Sequence, residues 1–301
     1  HNIRAILIAG DLFDSERIFF STMDIVKDCI TGNPEIDFLY TTGDKENDAF
    51  INALNEVPDN LKFFDEDHPS YRYDDRIVIT AADSPDDLSL NSTDINIVMH
   101  HGAVRPELWR GKYIDYLALG HYHSLKEGSL GSRGRYCYSG CLEGRGFDEC
   151  GEKGFVRLEI ERGIIKPIFV QAAKRVIHAF TVDINDAAGT SEVDKRIQKA
   201  LLSRDIPGDD LVKVELVGSP DPEFGYNAEY IEKKYGEKYF AFCLVKAEGE
   251  NDEDLESSEY DKSLKGEFIR LCQKSHYSED EKNQIIRLGL AALEGRKEAL
   301  R

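Results

Sequence analysis

Ile114-Asp115-Tyr116-Leu117-Ala118-Leu119 runs straight into Gly120-His121-Tyr122-His123, an apolar segment that delivers two histidines one residue apart. A buried strand places such a pair at its C-terminal mouth, where both rings can enter one cleft, and the glycine lets the backbone turn sharply. Two other apolar runs end in similar chemistry. Ala5-Ile6-Leu7-Ile8-Ala9 leads into Gly10-Asp11-Leu12-Phe13-Asp14, and Ile95-Asn96-Ile97-Val98-Met99 leads into His100-His101-Gly102. Three buried strands, each carrying carboxylate or imidazole just past its C-terminal end, describe a metal site at the edge of an α/β sheet.

The chain has 301 residues, enough for a substantial core and, by length, for two domains. No apolar run is long enough to span a bilayer, and the first residues read as a strand, not a signal peptide. The six cysteines are scattered without a Cys-x-x-Cys pair. Cys137, Cys141 and Cys150 lie close together in sequence, but their spacing fits no standard zinc module, so reduced thiols in a cytoplasmic protein are expected. Acidic residues outnumber basic ones 57 to 38, for a net charge of −19. This counts against a free-standing DNA-binding module, which would need a basic face. It does not exclude a phosphoesterase, because divalent cations held by Asp and His reverse the field locally.

Strand signals recur at residues 3–9, 36–41, 95–99 and 114–119. Between the first two, Ser15 is placed to cap a helix carrying Ile18, Phe19, Met23, Val26 and Ile30, closed near Gly32-Asn33-Pro34. Residues 48–57 read as a short helix stopped by Pro58, and Asp74-Asp75 as the turn of a hairpin. Further strands are expected at 135–138 and 154–160, the second turning through Arg162-Gly163 into 164–170. Strands alternating with helices and closing in antiparallel pairs give a layered α/β domain over residues 1–172. A different rhythm follows over 173–247: strands at 177–184, 211–217 and 239–245, helices at 193–202 and 228–235, a smaller α+β domain. Residues 248–301 begin with an acidic, solvated linker (248–254) and continue into helices at 264–274 and 279–293, the latter behind a Ser278/Glu281 capping box.

Phosphodiester cleavage needs a nucleophile at neutral pH and neutralisation of charge on the phosphoryl oxygens. Two divalent metals about 3.5–4 Å apart supply both. Such a pair takes a bridging carboxylate, oxygen ligands and several imidazoles, and Asp11, His101, His121 and His123 make up much of that set. The order Gly-Asp-Leu-Phe-Asp, strand-His-Gly, Gly-His-x-His resembles the calcineurin-like metallophosphoesterases, and within them the SbcD-type DNA-repair exonucleases. The stretch 138–155, with Gly144-Arg145-Gly146-Phe147-Asp148-Glu149 and Gly151-Glu152-Lys153-Gly154, is similar to that subgroup in particular.

The resemblance implies a sandwich of β-sheets flanked by helices, with the smaller domain as a cap. It makes Asp11 the bridging ligand, and His121 and His123 ligands to one metal each. One of His100 and His101 is the histidine of the preceding strand end: the following glycine favours His101, strand length favours His100, and the other packs or bonds behind it. The implied cofactor is manganese, with magnesium, zinc or iron compatible with the mixed ligand set. The implied partners are DNA at the metal site, an SbcC-like ATPase subunit and a second copy of the chain, with no membrane.

Two departures qualify this. The family opens on an Asp-x-His pair that nothing before His1-Asn2 supplies, so residues 3–9 would be its second strand, and metal binding is expected to be weak or confined to one site. The family's Gly-Asn-His-Asp/Glu loop reads here Gly43-Asp44-Lys45-Glu46. Asp44 stands where the asparagine ligand belongs and can bind metal through oxygen. Lys45 replaces a histidine that would meet the phosphate, and a lysine is a poor proton donor at neutral pH. The expectation is therefore a weakened nuclease or phosphodiesterase, with an inactive scaffold for the ATPase or a small-molecule phosphoesterase as alternatives.

Overall fold

A computed structural model describes residues 3–220, 225–246 and 264–275, together with residues 282, 285, 286 and 289. The expected acidic linker, the 279–293 helix with its Ser278/Glu281 capping box, and His1-Asn2 lie outside the described residues, apart from those isolated positions. The chain divides into two compact units, one of residues 1–180, 199–214 and 228–243, the other of residues 181–198, 215–227 and 244–301. The candidate site lies wholly within the first.

Two sheets of that first unit carry the candidate site. In one, β1 (Ala5–Ala9) pairs in parallel with β2 (Asp37–Thr41), which pairs in parallel with β3 (Leu61–Lys62). The other has six strands in the order β4-β5-β6-β7-β9-β8: β4 (Ser70–Tyr73), β5 (Ile77–Ala81), β6 (Ile95–His101), β7 (Tyr116–Gly120), β9 (Arg135–Tyr138) and β8 (Lys126–Ser129). Strands β5, β6, β7 and β9 run parallel, while β4 and β8 close the edges as antiparallel hairpins. A separate hairpin, β10 (Gly154–Glu161) and β11 (Ile164–Gln171), turns through Arg162 and Gly163, both with positive φ.

Strand alternation sets the layers. On β2, Phe38 and Tyr40 point to helix α1 (Phe20–Thr31) and join Met23, Ile30 and Phe50, the last from the short helix α2 (Ala49–Ala53). Leu39 points the other way, into a cluster with Ile79, Ile97, Met99 and Tyr116 from the six-stranded sheet. The far face of that sheet buries Val98, Leu117 and Leu119 against Trp109 of α3 (Pro106–Trp109). The result is a layered α/β arrangement with parallel strands ending at one edge.

Helix α1 starts four residues later than the Ser15 cap predicts. The Ser15 hydroxyl donates to the Arg17 carbonyl, so it is spent on a local turn, and Phe19 takes the N-cap position without a side-chain cap. The expected 48–57 helix is likewise only Ala49–Ala53. Strands β12 (Ile177–Asp183), β13 (Leu211–Val217) and β14 (Ala241–Lys246) form their own sheet in that order, with helices α4 (Thr190–Leu202) and α5 (Ala228–Gly236) between them in sequence. Helix α6 spans Leu264–Gln273. Among the described residues no helix is long and apolar enough to cross a membrane. All six cysteines are free thiols.

Candidate metal centre

Gly10 and Asp11 follow β1 in left-handed backbone (φ 76° and 54°), a conformation a carboxylate residue tolerates better than most. A Cβ on Gly10 would strike the Thr42 carbonyl oxygen at 2.7 Å, and one on Gly43 would strike the Asp11 backbone. The two loops after β1 and β2 are therefore pressed together at their glycines. They also clasp each other through hydrogen bonds. The Lys45 N–H donates to Asp11 Oδ1 at 3.0 Å, and the Leu12 N–H donates to Glu46 Oε1 at 3.2 Å. Glu46 is fully buried and also takes the Tyr40 hydroxyl at 2.8 Å. Burial and this carboxylate push the Tyr40 phenol far up.

His101 ends β6 on the face shared with Ile97 and Met99, so its ring enters the space between the sheets. Its Nδ1 lies 2.8 Å from the Ala9 carbonyl oxygen, which can only accept, so Nδ1 carries the proton. In the neutral ring Nε2 then bears a lone pair. That atom is buried without a hydrogen-bond partner, 3.5 Å from Asp11 Oδ2 and 3.6 Å from Asp44 Oδ2. His121, past the end of β7, holds φ at 97°, a strained value for a non-glycine residue. Its Nδ1 sits 3.3 Å from Asp44 Oδ2. Asp44, His101 and His121 each offer one ligand atom, all within 4.8 Å of one another, and form the one such group among the described residues. The His101 side chain is 5% exposed and that of Asp44 is 69% exposed, so the cluster has a closed floor and an open mouth.

His100 does not join them. It lies on the Val98 face of β6, where its Nδ1 meets the Ala82 carbonyl at 2.8 Å and its ring packs 5.0 Å from that of Trp109. Burial there lowers its pKa. His123 stands outside the group of three. Its Nδ1 is 2.6 Å from Glu149 Oε1, which leaves Nε2 turned away from the carboxylate. Glu149 is almost wholly buried and is held by Arg145 through the backbone N–H, Nε and Nη2 at 2.9, 3.2 and 2.9 Å. Burial alone would raise the Glu149 carboxyl, but the Arg145 and His123 hydrogen bonds outweigh it and hold its pKa at about 2. Arg145 reaches on to Asp14 at 2.9 Å, tying the loop after β1 to the 145–149 segment. Lys45, which stands in place of the histidine of the family's loop, makes no ion pair among the described residues.

Of the residues read from the sequence, Asp11, Asp44, His101 and His121 come together, His123 is anchored separately, and His100 is turned away. The roles of Arg145, Glu149 and Asp14 were not read, although Arg145 and Glu149 lie in the stretch singled out for its resemblance. Glu46 was not read either, and no sequence signal marks it as the clasp between loops. A cavity of about 530 Å³ lies between the β8–β9 hairpin and the β10–β11 turn, lined by Asp115, Glu127 and Arg133 among others, and includes none of these residues. Comparison with protein-family models and with curated proteins gave no match.

Proposed function

We propose that this chain is a divalent-metal-dependent phosphoester hydrolase, of the phosphodiesterase or nuclease kind. The observation that carries the reading is the His101 Nε2 atom. It is buried without a hydrogen-bond partner and faces Asp11 Oδ2 and Asp44 Oδ2 at 3.5 and 3.6 Å, an arrangement that a cation seated among the three would satisfy. Two imidazole nitrogens and carboxylate oxygen suit manganese, zinc or iron. His101, His121 and Asp44 would hold the ion, with Asp11 Oδ2 beside them. When bound, such an ion supplies charge neutralisation on the phosphoryl oxygens and a water acidified toward neutral pH.

The chain's own groups do the rest. The Ala9 carbonyl fixes the His101 tautomer, and the Lys45 N–H fixes the Asp11 carboxylate. The open mouth at Asp44 admits a phosphate, which Lys45 can meet as a point charge. Asp44 brings a negative charge where a neutral amide would repel an anion less, so hydrolysis is slow. DNA as substrate and an SbcC-like ATPase as partner rest on the resemblance alone. The net charge of −19 favours a second reading, a phosphoesterase for small molecules.

The test is manganese binding by calorimetry together with manganese-dependent hydrolysis of bis(4-nitrophenyl) phosphate. Both are expected in the wild type and lost in His101→Ala and Asp44→Ala. Hydrolysis that persists in these variants, or a wild type that binds no divalent ion, would overturn the proposal.

A further inference from the structure

Tyr122 lies between the two histidines of the strand-end motif. It is an exposed aromatic next to a candidate ligand, at 37% of its full accessibility. Its position is fixed from two sides. Its ring centroid is 5.1 Å from that of His121 and 4.8 Å from that of Tyr138, both in edge-on contact. Tyr138 is buried, its hydroxyl accepting from the Val104 N–H and donating to the Gly102 carbonyl, so it is anchored to the loop that follows His101. The Tyr122 ring is thus held in register with the candidate metal centre.

The Lys126 ammonium stands 3.8 Å from the Tyr122 centroid, over the face of the ring. Among the described residues that ammonium makes no ion pair, and neither does Lys45, one residue past Asp44. In a chain with 57 acidic side chains, a lysine without a carboxylate partner over the ring next to His121, and another next to Asp44 in sequence, favour an anion there. A cation over an exposed ring is held weakly and is replaced readily by another flat, polarisable group.

We propose that Tyr122 and Lys126 form a substrate subsite beside the metal centre, taking an aromatic ring joined to a phosphate. The ring stacks on Tyr122 where the ammonium now stands, and the ammonium swings to an anionic oxygen of the same molecule. This rests on the phosphoester-hydrolase reading and adds a preference for substrates carrying a nucleobase or aryl group next to the phosphate. No covalent step is involved.

Calorimetry with manganese and one of three probes tests it: adenosine 5′-monophosphate, ribose 5-phosphate and phenyl phosphate. Adenosine monophosphate should bind roughly tenfold more tightly than ribose 5-phosphate, the scale of one stacked base. Tyr122→Leu should erase that gap without changing ribose 5-phosphate binding, and Tyr122→Phe should keep it. Lys126→Gln should weaken both ligands alike. Phenyl phosphate binding as tightly as the nucleotide would place the ring directly on the phosphate; binding like ribose 5-phosphate would place it a sugar's length away. Equal wild-type affinities for adenosine monophosphate and ribose 5-phosphate, or a gap that survives Tyr122→Leu, would overturn the subsite. Manganese binding without any ring preference removes the subsite alone, whereas absence of manganese binding removes the reading beneath it.

Discussion

Two polar clusters stand past the strand ends of the same unit, and they are built on opposite terms. Around Glu149 each facing group is a donor: the Arg145 backbone N–H and guanidinium, and the His123 ring. Around His101 two carboxylate oxygens, Asp11 Oδ2 and Asp44 Oδ2, face an Nε2 that makes no hydrogen bond. The first cluster is complete in itself and stabilises the fold. The second leaves His101 Nε2 buried without a hydrogen-bond partner, and on the proposed reading a bound cation supplies what is missing. Satisfied polar groups and unsatisfied ones, a few residues apart in sequence at His121 and His123, thus set a structural cluster apart from the proposed ligand site.

The contrast breaks most sharply in metal affinity. His101→Ala should lower manganese affinity by more than the roughly 100-fold seen when an outer hydrogen-bond partner of a ligand is lost. Manganese at about 100 times its dissociation constant should stabilise the wild type by about 2.7 kcal/mol, read as a rise in melting temperature, and leave His101→Ala unmoved. A variant that keeps its manganese-induced shift would show that the unmatched acceptors are not the site.

Glu149→Gln should have the inverse profile: a loss of metal affinity nearer tenfold, as for an outer partner, but a clear drop in metal-free melting temperature at neutral pH. The Glu149 carboxyl falls from an ordinary 4.5 to about 2 on folding, so its contribution is full above 4.5 and disappears as pH drops toward 2. The melting-temperature gap between wild type and Glu149→Gln should therefore close over that window. A gap that persists at pH 2 would mean that shape, not charge, is what Glu149 supplies. The smallest effect is expected at His100. His100→Gln should leave manganese affinity unchanged, since that ring packs on Trp109; a loss comparable to that of His101→Ala would invert the assignment.

Much of this was legible in the sequence because apolar strands ending in polar residues declare both element and direction. The runs at 5–9, 37–41, 95–99 and 116–119 are strands, and Asp11, Asp44, His101 and His121 converge at their ends. The choice between His100 and His101 was not legible, for a physical reason. Residues 95–99 are buried on both faces, so the run has no polar side from which to read the alternation, and a shift of one residue exchanges the faces. Only the contacts of Val98 with Trp109 and of Met99 with Leu39 fix it. Helix α1 misled for a related reason: a serine hydroxyl serves a helix or a turn equally well, and here Arg17 claimed it. The Arg145–Glu149–His123 linkage depends on a long side chain folding back across a loop, which no periodicity announces.

The clasp between the loops after β1 and β2 has a kinetic consequence. The Lys45 and Leu12 amides are distant in sequence, yet each is held by a carboxylate from the opposite loop, Asp11 for one and Glu46 for the other. Both hydrogen bonds break when the loops part. In native-state hydrogen–deuterium exchange the two should share one opening free energy and exchange as a pair. A bound cation that draws on Asp11 would slow both together. The floor of the site would then behave as a single hinged unit, open or shut at both amides at once.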